Sequence, residues 1–255
     1  MGIGNSRSIG CCPMMTRGRR ASSSGGVFHE TAEWPSCQGR TMQDSITVLI
    51  HGTYSSSNLW YKPGSRFHRY LRSHGFADVY SGSDYFRWRA FATPAARRRG
   101  AEKLIAWCRE HPARQYRFIG HSHGANVANR VTQRRLRGIC TLIHLAPPAL
   151  PGNLPNLNYV TSGQFFTIHA QRDAIVTGLA GARQNYQSFP ELAAHETVIE
   201  LAGIGGHWQP VRVPNWQHWD IARIVSSVCS EASQRSVASR GSRRGQQGAR
   251  RRRRS

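Results

Sequence analysis

Acidic residues and lysine are both scarce in this sequence. Only 13 Asp and Glu stand against 35 Lys and Arg, and Lys62 and Lys103 are the only lysines. The formal net charge is therefore +22 at pH 7, and the isoelectric point is near 11.3. Such a chain attracts polyanions, so it favours nucleic acid, anionic lipid or acidic proteins as partners. The net charge carries no information about the fold.

The spacing of the cysteines excludes two common kinds of site. The six cysteines form no C-x-x-C pair and no spacing that is typical of metal ligands. We therefore predict reduced thiols, no disulfide framework and no bound metal.

Long apolar runs are absent as well. No stretch approaches 18 apolar residues, and no secretory signal opens the sequence. We therefore expect neither a signal peptide nor a transmembrane segment. The expected location is cytoplasmic, with peripheral association at a membrane as an alternative.

Residues 1–43 are rich in Ser, Gly and Arg and have no hydrophobic period, which predicts a flexible N-terminal arm. The arm begins M-G-x-x-x-S, a pattern typical of N-myristoylation at Gly2. Cys11 and Cys12 follow closely, and a second acyl chain there would make membrane anchoring stable. An unmodified arm is the alternative.

Residues 233–255 form a second segment of biased composition. They carry nine arginines and no acid, and they end in a run of five arginines. Like charges repel and nothing apolar is available for burial, so we predict a disordered tail. The tail would bind an anionic membrane surface or nucleic acid in a salt-dependent way, or it would be solvated without a dedicated partner.

Between these segments, residues 44–232 alternate buried strands with helices or long loops. This pattern predicts one α/β domain with a mostly parallel central sheet of about six strands and helices on both faces. Thr93-Pro94 predicts the start of the second helix, with Thr93 as its cap and Arg97, Arg98 and Arg99 on its solvated face. One last helix is predicted over Trp216–Val228. The predicted strands are Ser45–Ile50, Phe76–Tyr80, Gln115–Ile119, Ile139–Leu145, Phe165–Ala170 and Thr197–Leu201.

The third of these strands leads into the motif Gly120-His121-Ser122-His123-Gly124, after which a helix is predicted. A G-x-S-x-G sequence between a strand and a helix is typical of a nucleophilic serine on a sharp turn, because only glycine fits two residues before and after it. The alternative is a serine in an ordinary loop between a strand and a helix. The sequence therefore predicts Ser122 as a nucleophile.

A nucleophilic serine needs a base, and the base needs an acid to orient it. If the chain order is serine, acid, histidine, then Asp173 is the acid that directly follows a strand. His207 follows the last strand on a glycine-rich loop and is the first choice of base. His218, near the start of the last helix, is the second choice, whereas His195 precedes the last strand and would lie at the wrong edge of the sheet.

The backbone N–H of His123 is the first predicted donor to an oxyanion, and Thr53 or Tyr54 in the loop after the first strand would supply the second. We interpret the side chains of His121 and His123 as packing groups of the elbow, because no third metal ligand has a suitable spacing.

Four segments of the middle region resemble the α/β-hydrolase superfamily, and they are closest to bacterial and phage lipase-like hydrolases. The segments are TVLIHGTYSSSNLW, FIGHSHGANVA, HAQRDAIV and GGHWQPVRVPNWQHWDIARIV. The resemblance implies a reduced form of that fold, lacking its first two strands, with Ser122, Asp173 and His207 as the triad. It also implies hydrolysis of an ester, thioester or amide through an acyl-enzyme, without a cofactor. Ala125 departs from the family, where glycine is common.

The expected function is therefore that of a serine hydrolase acting on a small-molecule or lipid ester. Two alternatives remain: a catalytically inert hydrolase fold that serves as an interaction module, and a polyanion-binding protein that acts through its basic tail. The sequence does not indicate the oligomeric state.

Overall fold

The computed structural model of the chain describes residues 42–53, 59–179 and 181–227. The lipidation candidates Gly2, Cys11 and Cys12, the oxyanion candidate Tyr54 and the arginine-rich tail lie outside these residues. Within them, no helix has the length and the apolar content needed to cross a membrane.

A sheet of five parallel strands forms the centre of the fold, and its strands are hydrogen-bonded in the order of the sequence. Every residue of the third strand is buried, because both faces of the sheet are covered. The strands are β1 (Gln43–Ile50), β2 (Ala113–His121), β3 (Ile139–Leu145), β4 (Phe165–Arg172) and β5 (Glu196–Gly205).

The predicted strand at Phe76–Tyr80 is reduced to a single bridge, so the described sheet has five strands instead of about six. Val79 pairs with Thr47 of β1, and only two backbone hydrogen bonds join the segments. The N–H of Val79 also bonds back to the carbonyl of Phe76, which turns the chain before more pairs can form. The bridge lies on the side of β1 opposite β2, so the chain must cross β1 to enter β2. Ligands of parallel sheets bind at such a crossing.

Helices cover both faces of this sheet. Those of at least six residues are α1 (Arg66–Ser73), α2 (Pro94–Glu110), α3 (His123–Gln133), α5 (Val213–His218) and α6 (221–227), with a four-residue helix α4 (Pro190–Ala193) between the last two strands. Thr93 caps α2 as predicted, because its Oγ1 accepts a hydrogen bond from the N–H of Ala96 at 3.2 Å. The last helix was predicted as one element, but a turn at Trp219 and Asp220, where Asp220 has a φ of 48°, divides it.

Two hydrophobic layers hold the helices against the sheet. On one face, α2 and α3 bury Leu104 and Val127 against Val48 and Phe118. On the other, α1 and α5 meet where the rings of Phe67 and Trp216 pack edge to face at 5.1 Å. The predicted α/β class with helices on both faces is thus confirmed.

The prediction that Arg97, Arg98 and Arg99 are all solvated is wrong for Arg97. Arg98 and Arg99 are exposed, but only 5% of Arg97 is accessible to solvent. The helical period explains the difference, because it places residue 97 on the same face of α2 as the buried Gly100 and Leu104.

Candidate active site

Ser122 lies on a sharp turn between β2 and α3. Its φ of 53° and ψ of −130° are strained for a residue with a side chain, and such strain is typical of functional sites. The flanking glycines make the turn possible. A Cβ atom at Gly120 would lie 2.6 Å from the backbone nitrogen of Ala125, and one at Gly124 would lie 2.3 Å from the carbonyl oxygen of Ile50.

The loop after β1 lies directly against this serine. A Cβ atom at Gly52 would be 2.7 Å from the Cβ of Ser122, so only glycine allows the approach. Trp88 is hydrogen-bonded to the start of this loop, because its indole Nε1–H donates to the carbonyl of His51 at 2.9 Å. Thr53 follows Gly52 and is half-buried.

Asp173 occupies the corresponding position after β4, and only 1% of it is exposed. Its Oδ1 accepts hydrogen bonds from the backbone N–H groups of Ile175 and Val176, both at 3.1 Å. Its Oδ2 accepts a 2.7 Å hydrogen bond from Nδ1 of His207. Burial by itself would raise the pKa of Asp173, but these hydrogen bonds outweigh it and lower the pKa, so the carboxylate is charged.

His207 follows β5 on a loop that begins at Gly205 and Gly206. The N–H of Gly206 donates to the carbonyl of Arg172 at 2.7 Å, which fixes the loop beside the residue before Asp173. Because Nδ1 of His207 donates to the carboxylate, its Nε2 carries no proton in the neutral ring and is available as a base.

His121 connects this loop to the turn that carries Ser122. Its Nε2 donates a 2.9 Å hydrogen bond to the carbonyl of His207, and its ring stacks on Trp208 at 4.5 Å. Burial, and after it the neighbouring His207, lowers the pKa of His121 to about 3, so this ring is neutral. The sequence presented His121 only as a packing group, because nothing near it marks a partner 86 residues away.

His123, on the other side of the serine, begins α3. Its Nδ1 lies 3.2 Å from the side-chain nitrogen of Asn126, which donates to it and also to the carbonyl of Pro148 at 3.1 Å. Burial, followed by the positive charge of Arg97, lowers the pKa of His123 to about 4. The ring is therefore neutral, and the backbone N–H of His123 lies in the first turn of the helix, where partial positive charge accumulates.

The other candidate histidines lie elsewhere. His218 is exposed at the end of α5, where its ring contacts Trp219. His195 lies before β5 and its Nδ1 donates to the carbonyl of Gly163 at 2.8 Å, at the opposite edge of the sheet. The described hydrogen bonds thus join Asp173 to His207 and not to His218.

Three aromatic residues near the loop after β1 belong to the hydrophobic core. Trp60, Phe86 and Trp88 are between 2 and 7% exposed and pack between the sheet and its loops. No group of three or more His, Cys, Asp or Glu side chains within 42–53, 59–179 and 181–227 has the geometry of a metal site.

A parallel sheet carries the serine turn after β2, the acid after β4 and the histidine after β5, with helices on both faces. This is a reduced α/β-hydrolase fold.

No protein-family model and no curated protein matches the sequence. Solved structures that do match include the esterase Pf2001 from Pyrococcus furiosus, with 17% identity and a TM-score of 0.48 over 74% of this chain and 83% of that one. Another is Est1E from Butyrivibrio proteoclasticus, with 13% identity and a TM-score of 0.46 over 77% and 91%. A third is CarC, a serine hydrolase involved in carbazole degradation, with 11% identity and a TM-score of 0.47 over 74% and 92%. Similarity at this level of identity does not assign a reaction or a substrate to this chain.

Proposed function

We propose that this protein is a serine hydrolase that cleaves carboxylic ester bonds through an acyl-enzyme. Ser122 is the nucleophile, His207 is the general base and Asp173 orients the base. The observation that carries the proposal is the 2.7 Å hydrogen bond between His207 and Asp173, on a loop that His121 holds against the strained Ser122.

In the first half of the reaction, Ser122 Oγ attacks the ester carbonyl while Nε2 of His207 accepts the hydroxyl proton. The backbone N–H of His123 and that of Thr53 or Tyr54 donate to the oxyanion that forms. The tetrahedral intermediate then expels the alcohol, which takes the proton from His207. Asp173 stays ionised throughout and stabilises the positive charge on the imidazole.

In the second half, water attacks the acyl-enzyme while His207 accepts its proton. His207 then returns the proton to Ser122 Oγ as the carboxylic acid leaves. Every proton transfer in both halves is carried by one imidazole, so the mechanism requires no cofactor. Lipid esters and thioesters would react at the same groups.

The test is covalent labelling with a fluorophosphonate probe, followed by turnover of p-nitrophenyl esters of increasing acyl length. We expect wild-type protein to be labelled and Ser122→Ala to remain unlabelled. Of the two candidate bases, only His207 is hydrogen-bonded to Asp173. His207→Gln should therefore lower kcat by about 10³-fold or more, while His218→Gln should stay within about threefold of wild type.

Absence of labelling in folded wild-type protein would contradict the proposal and favour the inert interaction module. Loss of activity in His218→Gln, with activity kept in His207→Gln, would leave a serine hydrolase but assign its base wrongly. Folding of each variant is checked by its thermal transition.

A further inference from the structure

Among the described residues, no carboxylate pairs with the buried cation Arg97. Its Nη1 donates to the carbonyl of Ala92 at 3.0 Å, whereas its buried Nε has no hydrogen-bond partner among the described residues. Its neighbours Arg98 and Arg99 are both exposed. The burial is therefore specific to this one guanidinium.

The described ion pairs use other cations. Acidic side chains pair with Arg114, Arg117, Arg134, Arg223 and the histidines His111 and His207. Burial, and after it the like charge of Arg130, lowers the pKa of Arg97. An arginine nevertheless stays protonated in proteins, and a buried charge without a counter-ion is strongly unfavourable. An anion at this position would remove that cost.

The packing of α2 on α3 places Arg97 beside the catalytic turn. Both helices are crossover connections of a parallel sheet, so they run in the same direction. A Cβ atom at Gly100 would lie 3.0 Å from Val127, which aligns these two positions. Three residues earlier on each helix, about 4.5 Å along the axis, Arg97 is level with Gly124, which follows His123.

We propose that Arg97 binds a carboxylate of the substrate, so that the preferred substrates are esters carrying a second, ionised carboxyl group. This proposal rests on the proposed hydrolase function and adds a substrate class to it. The unpaired Nε–H belongs to the planar edge with which arginine binds carboxylates in a bidentate way. A single buried guanidinium balances one negative charge, which favours a carboxylate over a doubly charged phosphate.

The kinetic test compares p-nitrophenyl half-esters of glutaric, adipic and pimelic acid with neutral p-nitrophenyl esters of the same carbon number. Rates are corrected for uncatalysed hydrolysis at constant ionic strength. We expect the wild type to prefer one or more half-esters in kcat/KM. Arg97→Gln should lower kcat/KM for the preferred half-ester about 10- to 100-fold more than for its neutral partner.

Two further variants make this comparison specific. Arg97→Lys keeps the charge but loses the planar guanidinium that can donate two parallel hydrogen bonds, so it should retain part of the preference. Arg99→Gln removes an exposed arginine from the same helix and should leave the preference unchanged. The proposal is wrong if the wild type has no preference for half-esters. It is also wrong if Arg97→Gln lowers kcat/KM equally for the half-ester and for its neutral partner.

A binding measurement separates this proposal from the hydrolase function. Adipate should raise the Tm of the wild type and of Arg99→Gln but not that of Arg97→Gln, because only an occupied site stabilises the fold. Arg97→Met should not lower the Tm, since it removes a charge that has no partner. A Tm that adipate does not change would contradict the carboxylate site. Failed fluorophosphonate labelling would instead contradict the hydrolase.

Discussion

At the scale of single residues, two histidines are completely buried. His121 and His144 are inaccessible to solvent, and both ring nitrogens of His144 lack a hydrogen-bond partner among the described residues. Burial lowers the pKa of His144 to about 3. When the chain unfolds, such a ring regains its ordinary proton affinity, so acid favours the unfolded state.

We predict that His144→Leu reduces the acid sensitivity of the fold. A histidine with a lowered folded-state pKa contributes stability above its unfolded pKa of about 6.5 and loses it as the pH falls towards 3. Between about pH 6 and pH 4 the free energy of unfolding should therefore fall less steeply in the variant, by about 1.4 kcal/mol per pH unit. Urea denaturation at a series of pH values measures this slope.

The matched control for this experiment is His218→Leu, which removes an exposed histidine and should keep the wild-type slope. An unchanged slope in His144→Leu would mean that water or another group reaches the ring. The ring also packs against Phe165 and Tyr186, both at 5.4 Å, so a modest packing effect at pH 7 is expected in addition.

At the scale of elements, the edge of the sheet that carries the proposed active site depends on close backbone contacts between β1, β2 and α3. Gly124 in the first turn of α3 touches the carbonyl of Ile50 at the end of β1, and Gly52 touches Ser122. These contacts bring the loop with Thr53 to the serine. Backbone atoms cannot rotate away as a side chain can, so any added atom must displace a whole element.

We predict that Gly124→Ala destabilises the fold by about 3 kcal/mol or more, because its methyl group would lie 2.3 Å from the carbonyl oxygen of Ile50. Gly152→Ala is the matched control, since nothing lies within 4 Å of its added Cβ, and it should change stability by less than about 0.5 kcal/mol. Urea unfolding of both variants gives the comparison. Equal stabilities would show that α3 can move away from β1 at little cost.

At the scale of the whole molecule, the chain joins an α/β domain to flanking segments of very different composition. The tail 233–255 holds nine of the arginines and lies outside the described residues. The serine, acid and histidine of the proposed triad all belong to the sheet domain. Polyanion binding and ester hydrolysis should therefore be separable.

We predict that deleting residues 233–255 leaves ester turnover within about twofold of the full chain but removes most of its affinity for anionic vesicles and for DNA. Full-length binding should weaken by about 10³-fold or more between 50 and 200 mM salt, as expected for six or more phosphate contacts. Vesicle sedimentation and fluorescence anisotropy measure the two affinities. A parallel loss of turnover on a soluble ester would show that the tail takes part in the hydrolase domain.

Patterns of neighbouring residues predicted much of the fold. The β-branched and apolar runs gave all five observed strands, and the Thr93-Pro94 pair located the start of α2. The short segment around Val79 was predicted as a strand, but its backbone turns between Phe76 and Val79 and makes only two hydrogen bonds with β1. The hydrophobic period of the last helix gave no indication of the turn at Asp220.

The sequence by itself determined the sheet, its parallel order and the turn at Ser122, because sterics and hydrophobic periods act between residues that are close along the chain. Only the tertiary structure decided that Asp173 is bonded to His207, 34 residues later, and that Arg97 is buried while Arg98 and Arg99 are solvated. Those outcomes depend on how loops from separate strands meet and on how a helix is rotated against its neighbours. Both are set by packing across the whole domain.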